Sequence, residues 1–434
     1  MYVVLRHQSV AQGCVVSIFH RVVPSALLFA VLLCASLAVA QTELGLYSFK
    51  GGNDGSVPDG ALIFDPAGNL YGVTYGRYDS TLGTVFKLSP DGTGHWTETV
   101  LHNFTGGDDG GEPVGRLYLD GEGNLYGTSY GGTFFELSPP TGGSGPWTQT
   151  ILHRFTGLDG ASPNGELIRD ADGNFYGTTS LGGGHDNGGT VYELSPDGSG
   201  GWTEKVLYVF HEAGAGPYSG LVMNRKGHLF GTTFRGGSTD GGTAFELAPD
   251  GVGGWKQRTI HTFAAFLHSG DGSEPIAGLT MDTQGNLYGA TLTGGAPVCS
   301  FIVYGCGTIF QLSPDGNGGW KERVIYSFQG GNDGFLPYGE LVFDSAGNLY
   351  GTTYYGGGDG GCIYENQLVH CGTVFELSPD GSGGWTEKIL MSFHDGTRGG
   401  QLDTGLVLDP QGNLYGVSPK GGHSNNGLVF EIIP

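Results

Sequence analysis

The sequence predicts an all-β protein, a seven-bladed β-propeller in which the N-terminal strand closes the ring. The first observation behind this prediction is an internal repeat, because close copies of Gly-Asn-Leu-Tyr-Gly recur about every 50 to 65 residues. The second observation is that four short strand-like segments accompany each copy. The copies begin at Gly68, Gly123, Gly173, Gly227, Gly285, Gly347 and Gly412.

The sixth unit illustrates the four segments. They are residues 339–344, 348–354, 373–377 and 385–393, each rich in β-branched or aromatic residues and bounded by Gly, Pro, Asp or Asn. The units show no helical periodicity. A parallel β-helix also has glycine-rich repeats, but its coils are much shorter and need no hairpin turns, so the pattern favours a propeller.

The turns between the segments have a recurring chemistry. Asp-x-x-Gly, as in Asp65–Gly68, separates the first and second segments, and Ser-Pro-Asp-Gly, as in Ser195–Gly198, separates the third and fourth. Proline presets the backbone for a type I turn, and glycine adopts the left-handed conformation that closes a tight hairpin. Each unit is therefore predicted to be one four-stranded antiparallel blade.

The two ends of the repeat region complement each other. The last unit stops at Pro434, after its third strand. Residues 41–49 align with residues 202–210, which form the fourth strand of the third unit. We therefore expect residues 41–434 to be a single domain in which the N-terminal strand completes the seventh blade, because such closure removes exposed sheet edges.

Residues 1–40 predict a cleaved signal peptide. Arg6 and Arg21 precede an apolar stretch over residues 22–37, and Ala38-Val39-Ala40 gives the small-x-small pattern that a signal peptidase needs before Gln41. The apolar stretch is short for a stable membrane crossing. The expectation is a secreted, extracellular or periplasmic chain with no membrane span after cleavage, and an uncleaved anchor is the alternative.

Charge and cysteine content fit this location. The formal net charge of −23 repels phosphate backbones, so nucleic acid is not an expected partner. Four of the six cysteines lie outside the signal peptide, in two pairs that are close in sequence. Both pairs lie between the second and third strands of their units. We therefore predict the disulfides Cys299–Cys306 and Cys362–Cys371.

The repeated motifs resemble the GloVer tandem-repeat family of exported bacterial proteins. The resemblance rests on Phe-x-Gly-Gly-x-Asp-Gly at Phe49–Gly55, on Gly-Asn-Leu-Tyr-Gly-Thr-Thr at Gly347–Thr353 and on Gly-Thr-Val-Phe-Glu-Leu at Gly372–Leu377. It covers residues 44–434 and is specific, because several linked motifs recur in order. It implies a surface or secreted location and supplies no established activity and no catalytic residues.

The candidate binding site lies at one rim of the predicted propeller. Loops from each fourth strand to the next first strand, and from each second strand to the third, share this rim, which we call the loop-rich rim. Residues that differ between units indicate a binding site better than repeated ones, because symmetry cannot explain them. At the mouth of the central channel these are Asp59, Arg116, Glu166, Tyr218, Tyr338, Glu340 and Asp403.

Two repeated features have both a structural and a functional interpretation. An aspartate four residues before the loop proline could bind a cation or sugar hydroxyls, but capping of its own Asp-Gly turn is favoured. It occurs at Asp54, Asp109, Asp159, Asp271 and Asp333. A tryptophan heads six of the fourth strands, and packing between blades is favoured over stacking on sugar. These are Trp96, Trp147, Trp202, Trp255, Trp320 and Trp385.

Two hypotheses for function follow. The first is a non-enzymatic binding or scaffold module, a monomer whose rim contacts a glycan or a surface protein. The second is an extracellular carbohydrate-active enzyme, a hydrolase or lyase, in which Glu166 and Glu340 act as an acid/base pair. The first is favoured because the sequence lacks a closely spaced, non-repeated catalytic constellation. No cofactor and no metal site are predicted.

Overall fold

The computed structural model describes residues 42–76, 81–211, 216–264, 270–295, 299, 304–358, 361–364, 367–369, 371–393 and 399–434. The predicted signal peptide and the cleavage site before Gln41 lie outside these residues. The described residues belong to one compact unit. Their helical elements are three single-turn 3-10 helices, Gly52–Asp54, Gly107–Asp109 and Gly331–Asp333, and none of these could cross a membrane.

Seven antiparallel sheets form the blades, which confirms the predicted seven-bladed β-propeller. Blades one to three are β2–β5 (Pro58–Phe64, Leu70–Thr74, Thr84–Pro90, Trp96–Asn103), β6–β9 (Pro113–Leu119, Leu125–Ser129, Thr133–Ser138, Thr148–Arg154) and β10–β13 (Ala161–Arg169, Phe175–Leu181, Thr190–Pro196, Trp202–Val209). Blades four and five are β14–β17 (Val222–Met223, Leu229–Thr233, Thr243–Pro249, Trp255–Thr262) and β18–β21 (Thr280–Met281, Leu287–Thr291, Thr308–Pro314, Trp320–Ser327).

Blades six and seven depart from this order. Blade six comprises β22 (Phe335–Pro337), β23 (Val342–Phe343), β24 (Leu349–Tyr355), β27 (Thr373–Pro379) and β28 (Trp385–Ser392). A separate hairpin, β25 (Cys362–Tyr364) and β26 (Gln367–Val369), lies between its second and third strands. Blade seven comprises β29 (Val407–Leu408), β30 (Leu414–Ser418), β31 (Leu428–Ile433) and the N-terminal β1 (Thr42–Ser48).

The first strand of blade six is split where the sequence predicts one segment over residues 339–344. Its two parts, β22 and β23, both pair with β24 and leave Gly339 between them. A Cβ atom on Gly339 would lie 2.2 Å from the carbonyl oxygen of Thr404 in blade seven. Gly339 therefore packs directly against the backbone of the next blade, as Gly60 and Gly115 do in the unbroken first strands of blades one and two.

The Asp-x-x-Gly turns form as predicted, and their aspartate has further partners. The Gly68 N–H donates to the Asp65 carbonyl oxygen at 3.0 Å, which closes the turn. Asp65 Oδ1 accepts from the N–H groups of Ala67 and Asn69, and Asp65 Oδ2 accepts from Asn69 Nδ2 and the Tyr71 hydroxyl. The Asn and Tyr of the repeated pentapeptide thus satisfy the turn carboxylate.

Neighbouring blades are joined by buried apolar side chains and by hydrogen bonds near the channel. Between blades two and three, for example, Phe134 and Phe175 are fully buried, with ring centroids 5.3 Å apart. Closer to the channel, the hydroxyl of Thr352 donates to the carbonyl oxygen of Thr404 in the next blade at 3.0 Å. Each blade therefore depends on its neighbour for part of its core.

The N-terminal strand closes the ring, as predicted. β1 pairs antiparallel with β31, from Thr42 opposite Ile433 to Ser48 opposite Leu428. The Phe49 N–H then donates to the carbonyl oxygen of Gly427 at 3.0 Å. Phe49 is completely buried and packs against Phe86 of blade one, with ring centroids 5.1 Å apart. Closure therefore covers a sheet edge and adds apolar contacts between the first and last blades.

Candidate functional site: the channel mouth

All seven non-repeated residues selected from the sequence line one cavity at the mouth of the central channel. The cavity has a volume of about 220 Å³. The seven are Asp59, Arg116, Glu166, Tyr218, Tyr338, Glu340 and Asp403. They come from six different blades, so the site forms only when the ring is assembled.

Glycines on the first strands allow these side chains to converge. Gly60 and Gly115 have positive φ angles of 72° and 73°. A Cβ atom on Gly60 would lie 2.2 Å from the carbonyl oxygen of Gly115, and one on Gly115 would lie 2.6 Å from that of Gly165. The first strands therefore approach backbone to backbone, and their flanking side chains share a narrow channel.

One side of the cavity holds a cluster of Arg116, Glu166 and Glu340. Arg116 Nε lies 3.0 Å from Glu166 Oε1. Burial raises the pKa of Glu340 well above its usual range, the charge of Glu166 raises it further, and Arg116 opposes both effects. Burial alone would lower the pKa of Arg116, but the charges of Glu166 and Glu340 raise it. Glu340 therefore holds a proton more readily than an ordinary carboxyl group does.

The other side of the cavity holds Asp59, Asp403 and Tyr338. Burial raises the pKa of Asp403, and the nearby charge of Asp59 raises it further. Burial also raises the pKa of Asp59, although backbone hydrogen bonds from Gly60 and Gly115 oppose this. Asp403 Oδ1 is shielded from solvent and has no hydrogen-bond partner among the described residues. Asp59 and Asp403 thus lie in a confined, partly dehydrated site, and Asp403 Oδ1 remains available to accept a hydrogen bond.

Tyr218 and Tyr338 supply the aromatic surfaces of the site. Tyr218 is 40% exposed, and its ring packs edge to face on Phe234, with centroids 5.4 Å apart. Tyr338 packs at an angle against Tyr354, with centroids 5.8 Å apart. Burial raises the pKa of Tyr338, with further contributions from the charges of Asp403 and Asp59. Both rings are held in place by aromatic neighbours and present a hydroxyl to the cavity.

Three further polar residues, which were not predicted from the sequence, also line the cavity. Asn164, Ser219 and Thr404 line it, each next in sequence to a selected position or within two residues of one. Arg116, Glu166 and Glu340 also line a second cavity of about 510 Å³. Much of the rest of its wall is apolar, including Leu221, Val222 and Met281. The charged cluster therefore lies where the two cavities meet.

The repeated aspartates cap their own turns, as the favoured interpretation predicts. Asp109 Oδ2 accepts from the N–H of Thr105 at 2.8 Å, and Asp159 Oδ1 accepts from the N–H of Thr156 at 2.7 Å. The same bond to the N–H at the start of the turn forms at Asp54, Asp271 and Asp333. These aspartates are absent from the wall of the channel-mouth cavity.

The tryptophans pack between blades, which confirms the second structural interpretation. Trp202 of blade three lies 5.7 Å from Phe134 of blade two, and Trp320 of blade five lies 5.5 Å from Phe230 of blade four, both as ring-centroid distances. Trp96 of blade one similarly contacts Tyr415 of blade seven. These rings extend the apolar core between adjacent blades.

Both predicted disulfides form, and their loops brace segments that carry cavity residues. Cys299 is bonded to Cys306, and Cys362 is bonded to Cys371. The carbonyl oxygen of Cys306 accepts from the N–H of Leu336, two residues before Tyr338. The carbonyl oxygen of Cys371 accepts from the N–H of Gln401, two residues before Asp403. Such bonds are typical of proteins outside the reducing cytoplasm.

The chain is similar to several proteins of known structure, all at low sequence identity. PorZ, a surface component of the type-IX secretion system of Porphyromonas gingivalis, is 15% identical with a TM-score of 0.49, over 85% of this chain and 46% of PorZ. A gluconolactonase from Xanthomonas campestris is 16% identical with a TM-score of 0.39, over 72% of this chain and 82% of that one. No protein of curated function matches the sequence.

The family comparison covers nearly the whole propeller. The model of the Gloeobacter/Verrucomicrobia repeat matches residues 36–197, 129–364 and 302–434. These overlapping matches follow the blades described above and agree with the resemblance carried by the repeated motifs. The chain belongs to the Gloeobacter/Verrucomicrobia repeat family.

Proposed function

We propose that this protein is an exported, non-enzymatic binding module whose channel mouth holds the end of a glycan chain. The observation that carries the proposal is the convergence of seven side chains that differ from blade to blade in one cavity. A repeated feature stabilises every blade, whereas a non-repeated cluster at the centre of the ring has no such role. Binding residues commonly lie where loops meet on a rigid scaffold.

The chemistry of the cavity suits a polyhydroxylated ligand. The exposed face of Tyr218 offers a surface for a sugar ring, and Asp403 Oδ1 offers an acceptor for a sugar hydroxyl. A ligand that donates to this acceptor would offset the cost of leaving it unpaired. The cavity of about 220 Å³ is smaller than most sites for drug-sized molecules, so we infer that one terminal sugar unit enters it.

The charged groups of the cavity indicate which glycans it can accept. Four carboxyl groups, those of Asp59, Glu166, Glu340 and Asp403, face a single guanidinium group in the cavity. Burial already opposes ionisation of Glu340 and Asp403, so the additional negative charge of a sulfated sugar or a uronic acid would be disfavoured in this cavity. Neutral sugars and amino sugars are therefore the expected ligands.

The geometry favours binding over hydrolysis. Protonated Glu340 donates a hydrogen bond to Glu166, which contributes to the raised pKa of Glu340, so the two carboxyl groups lie side by side. Glycosidases hold their two carboxyl groups about 5 to 9.5 Å apart, on opposite sides of the scissile bond. A pair that shares a hydrogen bond leaves no space for a substrate between its members.

Export through the predicted signal peptide would place this rim outside the cytoplasm. The two disulfides support an oxidising location. Mass spectrometry of protein secreted by the native host should give Gln41 as the N-terminal residue. Secreted protein that retains residues 22–40 would contradict cleavage.

The proposal is tested by glycan binding with matched tyrosine variants. A glycan array should identify neutral or amino-sugar ligands, and calorimetry should show that Tyr218→Ala weakens binding about fivefold to tenfold. Tyr130→Ala is the control, because Tyr130 is 42% exposed on the same rim but does not line the cavity. Equal losses of glycan affinity in the two variants would contradict the proposal that the glycan binds in the channel-mouth cavity. Turnover of a bound glycan that Glu166→Gln abolishes would instead support the hydrolase hypothesis.

A further inference from the structure

The junctions between adjacent blades contain a recurring set of three polar side chains near the loop-rich rim. A Tyr or His from the outer strand of one blade meets the turn aspartate of the connecting loop and a Glu or Gln from the outer strand of the next blade. The five described sets are Tyr47–Asp54–Glu98, His102–Asp109–Gln149, His153–Asp159–Glu204, His261–Asp271–Glu322 and Tyr326–Asp333–Glu387.

The set between blades two and three differs from the others in its geometry. The ligand atoms of His153, Asp159 and Glu204 all lie within 4.8 Å of one another, and this is the one such group of three among the described residues. His153 Nε2 lies 3.0 Å from Asp159 Oδ2. His153 belongs to β9 and Glu204 to β13, so two of the three groups are held by sheets.

The junction glutamates leave one carboxylate oxygen unsatisfied. Glu204 Oε1 is shielded from solvent and has no hydrogen-bond partner among the described residues, and the same holds for Oε1 of Glu98, Glu322 and Glu387. What sets the Glu204 junction apart is that a histidine nitrogen and an aspartate oxygen also lie within 4.8 Å of its glutamate.

Because it has no hydrogen-bond partner, Glu204 Oε1 shares no proton with Asp159 in this arrangement. The second oxygen of Asp159 is already occupied, because it accepts from the N–H and hydroxyl of Thr156 at 2.7 and 3.0 Å. A cation placed between the three groups would satisfy Glu204 Oε1 and would replace the hydrogen bond between His153 Nε2 and Asp159 Oδ2.

We propose that His153, Asp159 and Glu204 bind one divalent first-row transition-metal ion, with zinc as its representative, which links blades two and three. One imidazole nitrogen and two carboxylate oxygens suit Zn²⁺ and similar ions, whereas Ca²⁺ takes oxygen ligands. The imidazole binds through Nε2 in its neutral form and keeps its proton on Nδ1. Solvent supplies the remaining ligands.

The dimensions and the access route fit this assignment. Atoms that ligate a tetrahedral Zn²⁺ at about 2.0 to 2.2 Å lie about 3.3 to 3.6 Å apart, so side-chain rotation has to shorten the longest separation in this group by up to about 1.5 Å. His153 and Asp159 are 20% and 17% exposed, which leaves a path for the ion from solvent. The His153 ring is held edge to face against Phe155, with centroids 4.8 Å apart, which fixes the direction of its nitrogen atoms.

The other junctions supply variants that the fold already accepts. Glu204→Gln copies Gln149 and Gln257, which hold the equivalent position in blades two and four. His153→Tyr copies Tyr47, whose hydroxyl donates to Asp54 at 2.6 Å in the equivalent bond. Glu98→Gln is the control, because its junction has Tyr47 in place of a histidine.

Zinc binding by the purified, untagged protein tests the assignment. Equilibrium dialysis and calorimetry should give one Zn²⁺ per chain, about tenfold or more weaker in Glu204→Gln and His153→Tyr and unchanged in Glu98→Gln. Zn²⁺ should also raise the melting temperature of the wild-type protein in a concentration-dependent way. Melting in EDTA checks that the variants fold.

Three results would overturn the proposal. They are the lack of stoichiometric Zn²⁺ binding, wild-type affinity in both junction variants, and displacement of Zn²⁺ by equimolar Ca²⁺. If a variant fails to fold, the visible spectrum of the wild-type protein loaded with Co²⁺ decides, because it must show nitrogen ligation. Glycan binding measured in EDTA is independent of this result.

Discussion

The turn aspartates show how much of each blade depends on single side chains. Asp344 accepts from the N–H groups of Ala346 and Asn348, from Asn348 Nδ2 and from the Tyr350 hydroxyl, at 2.8 to 3.1 Å. These bonds lower the pKa of Asp344 although burial alone would raise it. The carboxylate therefore contributes stability as a hydrogen-bond acceptor for a whole hairpin.

Loss of this carboxylate should destabilise the protein measurably. We expect Asp344→Ala to lower the free energy of unfolding by about 1 to 3 kcal/mol, because several donors lose their acceptor at once. Asp344→Asn is the matched control, since Asn224 occupies this position in blade four and accepts from the N–H groups of Lys226 and His228. Urea denaturation measures both, and equal losses would contradict the argument.

Two junction glutamates should make stability depend on pH. Burial, followed by the charges of Asp54 and Asp333, raises the pKa of Glu98 and of Glu387 from 4.5 to about 7. Lys50 partly opposes this rise at Glu98. A carboxyl group whose pKa is higher in the folded state stabilises the fold fully below its unfolded pKa and loses this effect as pH rises through the folded pKa. Their contribution should therefore decline between pH 4.5 and 7.

The double variant Glu98→Gln/Glu387→Gln isolates this effect. Its free energy of unfolding should fall less between pH 4.5 and 7 than that of the wild type, because glutamine does not titrate. Urea denaturation in EDTA across this range gives both curves. Parallel curves would show that the two glutamates keep ordinary pKa values.

At the scale of structural elements, the disulfide loops connect packing to the candidate site. Cys306 and Cys371 are fully buried, and their carbonyl oxygens fix the backbone just before Tyr338 and Asp403. The closed loops are short, so chain entropy assigns each disulfide about 2 to 3 kcal/mol. The main effect of these bonds is therefore local, on the segments that enter blades six and seven.

Reduction of the disulfides should weaken ligand binding more than it lowers thermal stability. We expect the melting temperature to fall by only a few degrees, because the two bonds brace loops outside the seven sheets. Affinity for a glycan found on the array should fall several-fold as Tyr338 and Asp403 lose their support. Calorimetry and thermal melts with and without reductant measure this. Unchanged affinity after complete reduction would show that the disulfide loops do not support the binding site.

At the scale of the whole molecule, the N-terminal strand joins the first and last blades of the ring. β1 covers the edge of β31, and Phe49 adds a buried ring to the core between blades seven and one. An open propeller would expose the edge of Leu428–Ile433 and lose these apolar contacts. The same closure positions Asp59 and Asp403, which come from the first and last blades.

Deletion of residues 41–49 should therefore destabilise the protein and promote aggregation. Differential scanning calorimetry and light scattering give the two measurements. Replacement of residues 41–49 by the sequence of residues 202–210 is the control, because this fourth strand aligns with the N-terminal segment. The graft should restore much of the lost stability. A truncated chain that melts like the full-length protein would show that closure is dispensable.

The sequence by itself determined the blades, the closure and the disulfides. These features are local: seven copies of one pattern, hairpin turns of known chemistry and two short cysteine loops. Local features can be recognised from the order of residues along the chain. It also placed the seven non-repeated residues at the channel mouth, because equivalent positions in a symmetric ring face the same axis. The sequence did not predict that the first strand of blade six is split into β22 and β23.

Only the tertiary structure decided how these residues interact. Two arrangements bring together residues from different blades: the contact between Glu166 and Glu340, and the polar group of His153, Asp159 and Glu204. The unpaired oxygen of Asp403 is likewise visible only in the folded ring. Distances across blade boundaries depend on how closely the glycine backbones approach, which no repeat encodes. The physical reason is that a repeat specifies each blade, whereas a site requires the packing of one blade on another.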